Sequence, residues 1–191
     1  MRARMLLLAL AVCCSPVAAI ENVPNKPGLR QPGDNHGPPF SVGDMFIYRL
    51  MPQGIHAFLC SQPSCGPGSK VSYTLLPPKE RVSFSQYKEE RKIVEKELRK
   101  HMPKGVTMRF KPPTQQKDKM FTVYESRRTA IDAEGNKTTF ISRRIQGSSV
   151  IIDLISSGPD EKLAEEHSNA FMIAGLVFDF ALKEKNKKTK K

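Results

Sequence analysis

The side chains with the most chemistry to offer are four histidines and four cysteines. His36, His56, His101 and His167 are scattered and form no local ligand pattern. His56 lies close to Cys60 and Cys65, the beginnings of a zinc knuckle, but a structural zinc site wants four ligands and the fourth is missing. The two thiols also lack the C-x-x-C spacing of redox enzymes. An isolated pair this close, in an oxidising compartment, is expected to form the disulfide Cys60–Cys65. Pro63 and Gly66-Pro67-Gly68 suit the short loop that it would close.

The usual nucleophile and phosphate motifs are missing. Gly147-Ser148-Ser149 has the start of a nucleophile elbow without its second glycine. Neither a phosphate-binding glycine loop nor a metalloprotease helix occurs, and no cofactor is expected. Asn136-Lys137-Thr138 is a glycosylation sequon at a hairpin tip, meaningful only in a chain that a eukaryote secretes. Two classes of function stay open. One is a non-catalytic binding or accessory protein. The other is a hydrolase whose site is assembled from distant Glu and His groups, its mark being a pocket that brings His56 or His101 within hydrogen-bond reach of a carboxylate.

Charge is the other resource. Lys and Arg outnumber Asp and Glu by 31 to 19 across 191 residues, a net +12. Arg2 and Arg4 supply +2 of this, and Lys183–Lys191 supplies +5 through six Lys against one Glu, leaving +5 for the body. That residue is ordinary for a soluble domain. The terminal lysines (Lys183, Lys185, Lys187, Lys188, Lys190 and Lys191) form either a solvated end or a patch for an anionic surface such as phospholipid, lipopolysaccharide or an acidic polymer. Nucleic acid is disfavoured as a partner, because no aromatic groups for stacking accompany the charge.

The elements that must position these groups follow from composition and period. Residues 1–19 read as a cleaved secretory signal: a basic start, an apolar run from Met5 to Cys14, and Val17-Ala18-Ala19 as the cleavage site. The run is too short for a permanent membrane span. A lipoprotein signal would use Cys13, but Val12 is bulky where such signals want a small residue. Residues 20–39 are a Pro/Gly-rich flexible leader. One domain, 40–182, and the Lys-rich tail, 183–191, complete an exported chain, periplasmic or extracellular.

Within the domain the fold class is α+β, an antiparallel β-sheet packed by a mid-chain helix and a long C-terminal helix. Phe46, Tyr48 and Leu50 alternate in a first strand, Ile55 to Cys60 makes a second, and Val71, Tyr73 and Leu75 a third that Pro77-Pro78 stops. Ser83 with Gln86 fits a capping box that starts a helix, whose stripe is Tyr87, Val94, Leu98 and Met102. After a short strand at Val106–Phe110, Lys111–Lys119 reads as a polar connector. Met120–Ile131, Lys137–Ile145 and Val150–Ser156 form a meander around turns at Asp132–Asn136 and Gln146–Ser148.

The final helix opens at Gly158-Pro159-Asp160 and offers the sheet a stripe of Leu163, Ala164, His167, Ala170, Phe171, Ala174, Phe178 and Ala181. His167 is thereby expected as a hydrogen-bonded core residue. Met172, Ile173, Leu176 and Phe180 lie off that stripe, and only Gly175 and Asp179 remain as a hydrophilic or small arc. A helix apolar nearly all round is covered on more than one side. Either another part of the domain covers Met172, Ile173, Leu176 and Phe180, or they are an interface for a protein partner, an envelope component or a second copy in a homodimer.

Phe84-Ser85-Gln86-Tyr87, the meander through Ser156-Ser157, and Asp160 to Phe178 together resemble, in their order, the PsbP-like arrangement of small envelope proteins. That resemblance implies a binding or accessory role and transfers no individual residue.

Overall fold

The computed structural model describes residues 37–188. The signal segment with Cys13, His36, the leader up to residue 36, and Lys190 and Lys191 lie outside the described residues. Eight strands run as β1 (Phe46–Met51), β2 (Ile55–Cys60), β3 (Lys70–Leu76), β4 (Thr107–Phe110), β5 (Thr114–Lys117), β6 (Thr122–Ile131), β7 (Lys137–Gln146) and β8 (Ile151–Gly158). Two helices join them, α1 (Phe84–Lys100) between β3 and β4, and α2 (Glu161–Lys188) after β8. The strands make one sheet in the order β1-β2-β3-β8-β7-β6-β4, with β5 also paired to β6. Every pairing is antiparallel, as the α+β expectation required.

The meander β6-β7-β8 is held at its turns by carboxylates. Asp132 accepts from the Glu134 and Asn136 amides at 3.1 and 2.7 Å and from Asn136 Nδ2 at 2.9 Å, while Gly135 supplies φ 86°. These bonds hold the Asp132 carboxyl below its ordinary range. Lys111–Lys119 departs from expectation, because Thr114–Lys117 is a strand. All four of its residues are exposed, so no apolar alternation marks it, and only its backbone pairing to β6 makes it one.

Residues of β6 and β7 alternate between the two faces of the sheet, and a helix lies on each. α1 starts at the foreseen capping box, Ser83 Oγ accepting from the Gln86 amide while Gln86 Oε1 accepts from the Ser83 amide. Its buried residues are Tyr87 and Leu98. On the opposite face α2 covers the main core, where Phe40, Phe58, Val71, Tyr73, Val123, Ile145, Val150, Ile152, Leu154 and Phe171 form one cluster. Phe40 stacks on Tyr73 with ring centroids 4.0 Å apart, and the Tyr73 hydroxyl donates to the Phe40 carbonyl at 2.8 Å.

α2 is rotated from its expected setting. Its buried residues are Ala164, His167, Ser168, Phe171, Gly175 and Asp179. Gly175 and Asp179, read from sequence as a hydrophilic or small arc off the sheet-facing stripe, therefore face the sheet, whereas Ala181 is exposed. Each inversion has a physical reason. A Cβ on Gly175 would meet Ile152 Cδ1 at 2.6 Å, so glycine is what lets the helix approach there. Asp179 accepts from the backbone amides of Ser148, Ser149 and Val150 at 2.9, 2.6 and 2.9 Å, and from Ser148 Oγ at 3.0 Å. A carboxylate with that many donors is solvated by the β7–β8 turn and can be buried.

Candidate functional site

Rotating Gly175 and Asp179 inward turns the opposite side of α2 outward. Ile173, Val177 and Phe180 recur at helical spacing on that side, with 59%, 65% and 57% of their surface exposed. Of the four residues singled out from sequence, Ile173 and Phe180 stand on this stripe. Met172 and Leu176 are partly buried and pack against the core cluster. Val177 escaped the sequence reading, although its four-residue spacing from Ile173 and its place opposite Gly175 were the signal. α2 continues without a break to Lys188, so Lys183, Lys185, Lys187 and Lys188 extend the same rod. Lys187 pairs with Glu184 at 2.7 Å.

The three described histidines do not converge. His56 Nδ1 meets the Tyr48 hydroxyl at 2.9 Å and its ring stacks on Tyr73 at 4.9 Å, with burial holding its pKa below the ordinary value. His101 lies 3.5 Å from Glu97 one turn back on α1, an exposed surface pair. At that distance the two side chains make no hydrogen bond, and the mark of the hydrolase reading is not met there. His167 is a core residue, edge-on to Phe46 at 5.1 Å. Its Nδ1 has no hydrogen-bond partner among the described residues, contrary to the hydrogen-bonded state expected for it.

A recess of about 310 Å3 opens between β5, β6, β7 and α2. Its carboxylates are occupied. Glu125 bridges Arg127 and Arg143 at 2.6 and 2.7 Å, and Glu165 takes Arg127 at 2.8 Å. The Arg127 guanidinium holds the Glu165 carboxyl below its usual range, so this group stays ionised near neutrality and is no proton donor there. Cys60 and Cys65 are joined in a disulfide, their Cα atoms 5.7 Å apart. Among the described residues no three His, Cys, Asp or Glu side chains cluster as metal ligands, and no helix is long and apolar enough to cross a membrane.

No family model matches the chain, and no curated protein does. Among solved structures, the Ran-binding protein Mog1p of Saccharomyces cerevisiae is similar over 72% of this chain and 82% of that one, at 13% identity and a TM-score of 0.40. That structure is not a PsbP-like protein, and the resemblance expected from the order of elements is withdrawn. At that TM-score the likeness carries no partner over to this chain.

Proposed function

We propose that this chain is an exported binding protein, with no reaction of its own, that docks a protein partner through the outward side of α2. The observation that carries this reading is the stripe of Ile173, Val177 and Phe180, each more than half exposed on a helix whose other side is fully used. Three large apolar side chains held in water on one rigid helix are the usual anchors of a helix-mediated interface. The export half of the reading rests on the segment Met1–Ala19 and on the Cys60–Cys65 disulfide.

A second reading has its own support, since the stripe runs into Lys183, Lys185, Lys187 and Lys188. An apolar face beside lysines also suits an anionic surface, each lysine contributing at most about 1 kcal/mol. One experiment separates the two. Wild type and Val177→Asp are compared by light scattering, by retention of partners from envelope extracts, and by binding to anionic vesicles at low and high salt. The protein reading expects a retained partner, or a dimer, that Val177→Asp weakens by about tenfold or more. Salt-sensitive vesicle binding with no retained protein supports the second reading. A strict monomer that binds neither overturns both.

A further inference from the structure

We propose that the cleft between α1 and the β4–β6 edge of the sheet is a binding site for a tetrahedral oxyanion of the phosphate or sulfate type. The cleft holds about 110 Å3, room for such a group. Lys88, Arg91 and Lys92 reach it from α1, and Lys111 and Arg128 from the strand side. Glu95 is the one carboxylate in its lining, and Arg99 already holds it at 2.8 Å.

Sorting these cations by partner leaves a surplus. Lys92 pairs outward with Glu89 at 2.8 Å, and Lys111 with Glu161 at 3.1 Å. Arg127, also at the rim, turns its guanidinium to Glu125 and Glu165 on the other face of the sheet. Lys88 and Arg91 have no carboxylate at ion-pair distance among the described residues. Aromatic rings hold them instead: Lys88 Nζ lies 5.2 Å from the centroid of Phe84, and Arg91 Cζ lies 5.1 Å from that of Tyr87. Arg91 Nε is buried and has no hydrogen-bond partner among the described residues. Arg128, on the strand side, stacks on Phe140 at 4.5 Å and adds its charge to the cleft without being part of that surplus.

Stacking fixes the Arg91 guanidinium plane and leaves its in-plane N–H fork for an acceptor, the geometry that suits phosphate and sulfate oxygens. Val94, Phe110 and Pro113 form an apolar wall, which strengthens charge interactions at the cleft. Like charges gathered there repel one another, and a bound dianion relieves that cost. The rings beneath the cations are already covered, and Arg99 lies over Phe110 at 4.9 Å, so no free aromatic face invites a base to stack. This site is separate from the outward side of α2 and stands or falls independently of it.

The test is calorimetric titration of the full chain with inorganic phosphate, sulfate and glycerol phosphate at constant ionic strength, using chloride as the blank. Saturable binding of phosphate and sulfate is expected, with about tenfold weaker affinity in Arg91→Gln and in Lys88→Gln, one charged hydrogen bond lost in each. Glycerol phosphate binding comparably to phosphate assigns the group to a larger molecule, and its exclusion assigns it to a free anion. Lys88 is exposed, so its variant reports even if Arg91→Gln folds poorly. Lys187→Gln, on α2, should bind like wild type. Heats no larger than those of chloride, or equal affinity in Lys88→Gln, would overturn the proposal.

Discussion

Both helices lie on the same sheet, yet the two seams are made of different materials. Beneath the second half of α2 the contact is carbon on carbon, with the polar contacts kept to its first turns, where Glu165 takes Arg127 and Asn169 accepts from Arg143: Phe171 packs its ring edge-on to Phe58 at 4.8 Å over Ile152 and Leu154, and Gly175 lets the backbone settle close. Its one buried carboxylate, Asp179, sits at the end of the seam and is fully engaged by a turn. Beneath α1 the contact is a lattice of polar groups. The Tyr87 hydroxyl lies 3.3 Å from Ser126 Oγ and 3.4 Å from the Ser142 carbonyl, two acceptors for its one proton. Arg144 reaches Glu90 and Asp153, each at 2.7 Å, and Gln146 Nε2 and the Tyr124 hydroxyl both donate to the Val82 carbonyl at 3.1 Å. The dry seam gains from area and resists any polar intrusion. The wet seam gains little per contact, but it fixes directions, and fixed directions are what a ligand site needs.

Truncating one side chain on each seam is the sharpest way to break this contrast. Phe171→Ala should lower unfolding stability by about 3–5 kcal/mol, lost transfer energy plus the cavity left behind. Arg144→Ala should cost only about 1–2 kcal/mol, because Glu90 and Asp153 are each roughly a third exposed and can rehydrate. Urea midpoints for both variants check the ranking. An Arg144 cost equal to that of Phe171 would mean that the two seams share the stability evenly.

Asp179 sharpens the comparison from inside the dry seam. Asp179→Ala removes the acceptor for three backbone amides and a hydroxyl at the β7–β8 turn, and should cost about 2–4 kcal/mol. Asp179→Asn keeps one acceptor oxygen and should fall between wild type and Ala. Hydrogen exchange at the Ser148, Ser149 and Val150 amides reads the local effect, and unchanged protection in Asp179→Ala would refute the role given to this carboxylate.

Asp179 also marks the boundary of what could be read from residue types. Strands with apolar alternation, such as Val71, Tyr73 and Leu75, were plain, and so was the Ser83 capping box, because those signals are local. Asp179 and Gly175 are polar or small by type and stood apart from the apolar stripe expected to meet the sheet. Only the turn amides and the close approach of Ile152, both distant in sequence, turn them inward. The candidate interface shifted with them. Met172 and Leu176 lie partly against the core, Val177 was missed, and the outward stripe emerged once the rotation of α2 was known. β5 lacked any pattern, its Thr114, Gln115, Gln116 and Lys117 being held by backbone pairing alone. The α1 cleft was invisible for another reason. Lys88 and Arg91 are ordinary helix-surface residues until the sheet brings Lys111 and Arg128 opposite them.

The smallest expected effect is a pH dependence that belongs to one seam alone. Among the described residues the dry seam contains His167 and, further out on β2, His56, and burial holds both pKa values below the ordinary 6.5. Glu166 pulls the His167 value back up, but by less than burial lowers it. Well above pH 6.5 both rings are neutral, folded or unfolded, and contribute no pH dependence. As the pH falls below that value the unfolded chain takes up the proton first, so stability drops until the folded rings titrate as well. The slope from one such ring is at most about 1.4 kcal/mol per pH unit. On the wet seam Arg144 has its pKa raised further by Asp153 and Glu90, despite its burial, and stays charged throughout this window. Its ion pairs therefore add no arginine titration between pH 7 and pH 5. His167→Gln should then flatten the fall in urea midpoint over that range, while Arg144→Ala lowers the midpoint by a similar amount at each pH. Parallel curves for wild type and His167→Gln would show that the acid sensitivity does not arise in the seam beneath α2.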